Sequence, residues 1–108
     1  MFFTGITVAF VKQFALGLWE ILPLLLSLGL VVALLGCAVG RKEGWSGFES
    51  LYWSFITATT VGYGDLRPIS RGSRVIAVLI AFLGLTLTGI VIALAVWAAT
   101  SALKTTPR

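Results

Sequence analysis

Two long apolar stretches dominate the chain, and charged residues mark their ends. Ile21 to Gly40, between Glu20 and Arg41, holds no charged side chain; neither does Val75 to Leu103, between Arg74 and Lys104. A helix needs about 20 apolar residues to cross the hydrocarbon core of a bilayer. Lipid offers backbone N–H and C=O groups no partner, so such stretches must be helical. The pattern predicts an outer helix over 20–40 and an inner helix over 73–103. The second uncharged run would reach about 43 Å at the helical rise, so it should tilt or project from the membrane. Pro23 falls near the predicted start of the first helix, where a missing N–H costs little. Trp19 and Trp97 would meet the same interface of a two-helix hairpin, as in an aromatic belt, or they are simply packed; both readings stay open. Phe2 to Val11 is apolar but short, with no basic leader and no small-residue cleavage site, so it does not read as a signal peptide. Residues 1–18 are therefore expected as an interfacial helix or an extension of the first span, with Lys12 reaching to headgroups. The tail from Lys104 is expected to fray.

The segment between the spans, residues 41–74, is far longer than a helical hairpin needs. It is also too apolar for an aqueous loop. Phe48, Leu51, Tyr52, Trp53, Phe55 and Ile56 crowd one stretch, several of them at helical spacing. Ser46 and Glu49, three positions apart ahead of this run, form a candidate capping box. A helix over 46–59, with its helical turns from about Gly47 to about Thr59, would be about 20 Å long, roughly half a bilayer. The economical arrangement is re-entrant: the half-helix dips in and the chain climbs out. Non-helical backbone at that depth is tolerated only inside protein or along a water-filled path.

Composition narrows the classes. Of 108 residues, 58% are hydrophobic, and the charged residues are eight Lys/Arg and four Asp/Glu. A soluble domain of this size could not bury so much apolar surface, and a disordered chain would carry far less of it. The net charge of +4 is spread singly along the edges of the apolar runs. That suits lipid headgroups, and no nucleic-acid partner is expected. Cys37 stands alone, so no intrachain disulfide can form, and with no histidine there is no imidazole chemistry. Glu20, Glu43, Glu49 and Asp65 are scattered along the chain and offer no paired acid–base site, so no enzyme is expected.

After the half-helix the chain reads Thr60-Val61-Gly62-Tyr63-Gly64, which matches the filter signature of potassium channels. In its order of span, half-helix, filter and span, over residues 20 to 103, the chain resembles the two-transmembrane prokaryotic potassium channels of the KcsA type. The resemblance implies an all-α membrane protein, with two transmembrane helices, a re-entrant pore helix and a filter loop at 60–64, assembled as a homotetramer. It implies that carbonyls of Thr60, Val61, Gly62 and Tyr63 hold K+ in place of water, with no other cofactor. The chemistry is consistent: such a backbone needs conformations that glycines at 62 and 64 adopt without a Cβ clash, and Thr60 adds a hydroxyl oxygen. Val61 and Tyr63 would point away from the axis. The end of the half-helix, near Ala58 and Thr59, would turn its partial negative charge to the cavity.

The same resemblance aligns Trp53 with an aromatic residue that bonds the filter tyrosine, here Tyr63. It aligns Tyr52 with one that braces the aspartate, here Asp65. Ile56 departs from the pattern, because some relatives carry a carboxylate there. Gly84 aligns with a hinge glycine and Gly89 is a second candidate, although glycine equally permits close helix packing. Leu85, Thr88 and Ile92 share a helical face that Val96 and Thr100 continue, and this face would line the cavity and gate. Where four such helices converge, an apolar ring could close the pore by dewetting.

Orientation gives conflicting signs. Arg41, Lys42, Arg67, Arg71 and Arg74 lie between the spans, against Lys12, Lys104 and Arg108 on the terminal side. The positive-inside rule would place the filter segment in the cytoplasm. The family places it outside a cell membrane, with both termini cytoplasmic, and the long second helix and paired tryptophans agree with the family. The expected function is a potassium-selective channel. The alternatives are a weakly selective monovalent cation channel and a non-channel two-span adaptor, which would have no use for a polar re-entrant backbone.

Overall fold

The computed structural model describes residues 2–105 and contains three helices among them: α1 (Phe2–Glu43), α2 (Gly47–Ala58) and α3 (Arg71–Thr105). α1 and α3 are both long and apolar enough to cross a membrane. The N-terminal stretch settles between its two readings. It is helical and continuous with the outer helix, so α1 is 42 residues, about 63 Å, in place of the predicted 20–40. Pro23 consequently stands in the helix interior and not near its start, where its missing N–H breaks one rung of the ladder. α3 begins two residues before the predicted inner helix and ends two residues after it, so Lys104 is helical; residues 106–108 lie outside the described residues.

α2 starts where the local chemistry dictates. The Ser46 hydroxyl accepts from Glu49 N at 3.1 Å, and Ser46 N donates to the Glu49 carboxylate at 2.9 Å. This reciprocal box satisfies two donors that a bare helix start would leave open. Gly44 turns the chain out of α1 with φ 76°, and Trp45 N returns to Gly40 O at 2.9 Å. α3 starts on Ser70, whose Oγ accepts from Ser73 N at 3.3 Å and donates to Ser73 Oγ at 2.8 Å.

Two bodies divide the described chain. One comprises Leu25–Thr88; the other comprises residues 2–24 with 89–105. The first holds a small core of Val32 and Val39 from α1, Trp53 and Ala58 from α2, and Ile80 from α3. α2 lies hard against α1. A Cβ at Gly36 would collide with the Ser54 hydroxyl, and one at Gly40 with the Ser50 hydroxyl. Ser50 and Ser54 are buried, yet each hydroxyl bonds a carbonyl one turn back, Ser46 O at 2.9 Å and Ser50 O at 2.6 Å. Small residues facing small residues let two helices approach closely without stranding a polar atom. In the second body, Gly17 lets α1 meet Leu94 and Trp97 of α3.

Candidate functional site: the segment after the short helix

α2 ends at Ala58, and Thr59 is its C-cap, with N–H donated to Phe55 O and Thr57 O. From there the backbone alternates in handedness. Thr60, Gly62 and Gly64 have φ of 65°, 55° and 82°, whereas Val61 and Tyr63 are not among the positive-φ residues. Alternating right- and left-handed residues gather like backbone groups on one side of the chain. The N–H side turns back to α2: Thr60 N donates to Thr57 O at 3.2 Å, Val61 N to Ile56 O at 3.0 Å and Gly62 N to Ile56 O at 3.3 Å. Among the described residues, the carbonyls of Thr60, Val61, Gly62 and Tyr63 accept no hydrogen bond within the chain. The Thr60 hydroxyl donates to Thr59 O at 2.6 Å, which leaves its oxygen lone pairs free. Val61 and Tyr63 are exposed, Tyr63 by 71%.

Side chains from all three helices meet the chain just after this segment. Tyr52, half-buried on α2, lies beside Asp65, just past the filter motif. Desolvation, then the hydrogen bond to Asp65 and its negative charge, raise the Tyr52 hydroxyl above its ordinary pKa. Trp53 is not joined to Tyr63 within the chain. Its buried ring packs on Trp45, centroids 5.3 Å apart, and Tyr63 stands clear. Sequence reasoning missed Glu43. The carboxylate at the end of α1 accepts from Ile69 N and from Ser70 N, the latter at 3.3 Å. Arg74 Nε holds the same return segment through Pro68 O at 3.2 Å. A carboxylate 26 residues away in sequence gives no local sign of such a tether.

The two glycines of α3 differ sharply. Gly84 is buried, and a Cβ there would run into the Ala58 backbone, with Ala58 Cα at 2.5 Å and its carbonyl carbon at 2.6 Å. Close packing, the second of its two readings, thus describes Gly84 in this structure. A Cβ at Gly89 would meet nothing within 4 Å. Leu85, Ile92, Val96 and Thr100 are exposed on α3, and Thr88 is half-buried. This helix face is therefore largely uncovered in the single chain. The Thr100 hydroxyl is spent on Val96 O at 2.9 Å. Among the described residues no group of three or more His, Cys, Asp or Glu could hold a metal ion.

A protein family described as ion channel matches residues 20–100, most of the chain and all of this site. The chain belongs to the ion channel family. The family and the two long apolar helices mark it as a membrane protein. A stretch of 53 residues is 51% identical to TWiK family of potassium channels protein 7 from Caenorhabditis elegans, covering 49% of this chain and 10% of that relative. Another of 41 residues is 49% identical to two-pore potassium channel 1 from Arabidopsis thaliana, covering 38% of this chain and 11% of the relative. A third, of 36 residues, is 44% identical to potassium voltage-gated channel subfamily A member 5 from Homo sapiens, over 33% and 6%. The ion channel thus aligns with about a tenth or less of each of these relatives. No solved structure matches it.

Proposed function

We propose that this chain is the pore subunit of a potassium-selective channel, with four copies around one axis in a cell membrane. The observation that carries the reading is the backbone at 60–63. The N–H groups of Thr60, Val61 and Gly62 turn back to α2, and the carbonyls of 60–63 are left without a partner in the chain. A bare K+ in hydrocarbon is prohibitively costly, so a pore must replace its water with fixed oxygens. One chain supplies one wall of such a tube, and identical copies complete it. α2, about 18 Å long, and the filter then form a re-entrant loop whose irregular backbone lines a water-filled path. The last turn of α2, at Ala58, adds its partial negative charge on the cavity side. The uncovered α3 face of Leu85, Thr88, Ile92, Val96 and Thr100 lines the cavity and gate. Both termini are cytoplasmic. The three relatives, each named as a potassium channel, support the reading.

Liposome reconstitution tests it. A potassium gradient should drive a flux that a sodium gradient does not. Equal fluxes would reduce the protein to a weakly selective cation channel. No flux from a well-incorporated, non-tetrameric protein would overturn the proposal in favour of an adaptor.

A further inference from the structure

We propose that Pro23 and Gly89 form one hinge across both long helices, on which residues 2–22 of α1 swing together with the gate end of α3. The gate is that of the channel proposed above, on which this reading rests. Within the second body, contacts between α1 and α3 set their register. A Cβ at Gly17 would collide with Leu94 and stand 3.0 Å from the Trp97 ring, and one turn further along α1 Ile21 shares a groove with Ile90. Toward the start of α1, Ile6 and Phe10 line a groove with Ala99 and Leu103. Positions on α1 rise as those on α3 fall, so the helices are antiparallel, and the same register brings Pro23 level with Gly89. Both stand at the edge of this body, whose α1 part ends at residue 24 and whose α3 part begins at residue 89.

Each residue weakens its own helix at that level. Proline offers no N–H to the carbonyl four residues back, that of Trp19, and its ring crowds that carbonyl, so a sharp bend falls there. Glycine in a helix interior is destabilising relative to alanine. At Gly84 close packing accounts for it, since a Cβ would strike Ala58. At Gly89 no packing accounts for it, since a Cβ would meet open space, and what the residue supplies is a lower cost of bending. Beyond the hinge the two helices hold together. Leu94, Ala98 and Ala102 of α3 are buried, and so is Gly17 of α1 against Leu94. Lipid is as apolar as this seam, so the seam is held by close packing. A bend of α3 alone would pull it apart; a bend of both helices at one level keeps it whole. Val96 and Thr100 lie on this part of α3, so a load on residues 2–18 of α1 reaches the gate.

Helix tilts test the hinge without reference to conduction. Solid-state NMR of the whole chain, nitrogen-labelled in aligned bilayers, reads residues 5–18 and 26–38 of α1 separately. In the native chain the two segments should differ by about 20° or more, the size of a proline bend. Pro23→Ala should bring them to one tilt. Gly89→Ala, on the other helix, should move residues 5–18 the same way and leave 26–38 in place. A tie across the seam tests the coupling. In a chain whose Cys37 is serine, Gly17→Cys with Leu94→Cys exchanges size at one contact, and a short thiol bridge then joins the helices. The bridged variant should pass potassium into liposomes as well as its reduced form. A single tilt along native α1, a segment 5–18 unmoved by Gly89→Ala, or a bridged variant that stays shut while its reduced form conducts would each overturn the proposal. No flux from the reduced form or from the native chain would count against the channel reading instead, and the tilts would still decide the hinge.

Discussion

Thr60 shows how much a single position can carry. Its φ of 65° is the one positive value outside glycine among the described residues, and its side chain is β-branched. Such a conformation costs on the order of 1–3 kcal/mol and persists only when neighbours over-determine it. Here the Thr60 N–H, the Thr60 hydroxyl and the two following N–H groups are all engaged. The glycines at 62 and 64 were legible as left-handed positions because glycine alone adopts them freely. Thr60 was not, since nothing in a threonine codon announces a left-handed turn. Tyr52 was legible only through the resemblance, and its tie to Asp65 has a pH signature. Because the folded state raises the phenol above its ordinary 10.0, it holds the proton more tightly than the unfolded chain does. The tie's contribution is therefore whole below that value and is lost as pH climbs through the raised one. Tyr52→Phe should lower the thermal midpoint by a constant amount between about pH 7 and about pH 9, and the gap should close above about pH 10. A gap that stays constant into strong alkali would refute the assignment.

The elements were legible to the extent that their signals are local. Charge-free length found α1 and α3, and the Ser46–Glu49 box found the start of α2. The reach of α1 back to Phe2 was not legible, because an apolar run beyond one membrane thickness fits an interfacial helix equally well. The α1–α2 seam was hidden too: Gly36 and Gly40 meet Ser54 and Ser50 only once the helices are placed. That seam makes a size-exchange prediction. Gly36→Ala should destabilise the folded protein by about 1–3 kcal/mol, the usual cost of overpacking, and adding Ser54→Gly should recover most of it. Thermal unfolding of the two variants in one detergent measures the coupling, and additive losses would show that the seam is not where the pressure falls. At the other end of α1, Glu43 acts as an acceptor for two backbone N–H groups. A glutamine keeps a carbonyl oxygen and an alanine keeps nothing. Hydrogen exchange at Ile69 and Ser70 should therefore stay slow in Glu43→Gln and quicken about tenfold in Glu43→Ala, about the loss of one hydrogen bond. Equal quickening in both would mean that the charge, and not the acceptor, holds the loop.

For the molecule as a whole, what was least legible is what one chain cannot show by itself. Only 11% of the most apolar window in each long helix is buried, so lipid and other copies must cover the rest. Trp53 faces Trp45 inside its own chain while Tyr63 stands open, so any partner for that hydroxyl belongs to a neighbouring copy in the proposed tetramer. The two glycines of α3 divide accordingly. Gly84→Ala should abolish the folded assembly, because the added Cβ meets Ala58 backbone that cannot yield. Gly89→Ala meets open space and should raise helix stability by about 1 kcal/mol while reducing the open fraction of the channel. Size-exclusion profiles and single-channel records separate the two, and a folded, freely gating Gly84→Ala would reverse the roles. Orientation is the last whole-molecule property, and two physical rules disagree on it. Five basic residues between the spans favour the cytoplasm for that segment, because translocating them opposes the positive-inside bias. The proposed channel needs them outside, where Arg67 follows the filter by three residues and is exposed. The bias is a tendency with exceptions, and the long α3 and the tryptophans at 19 and 97 side with the channel arrangement. Arg67→Cys, in a chain whose Cys37 is replaced by serine, should therefore react with a membrane-impermeant maleimide added to intact cells. Labelling that appears only after the membrane is opened would place the filter segment in the cytoplasm and hand the decision to the charge count.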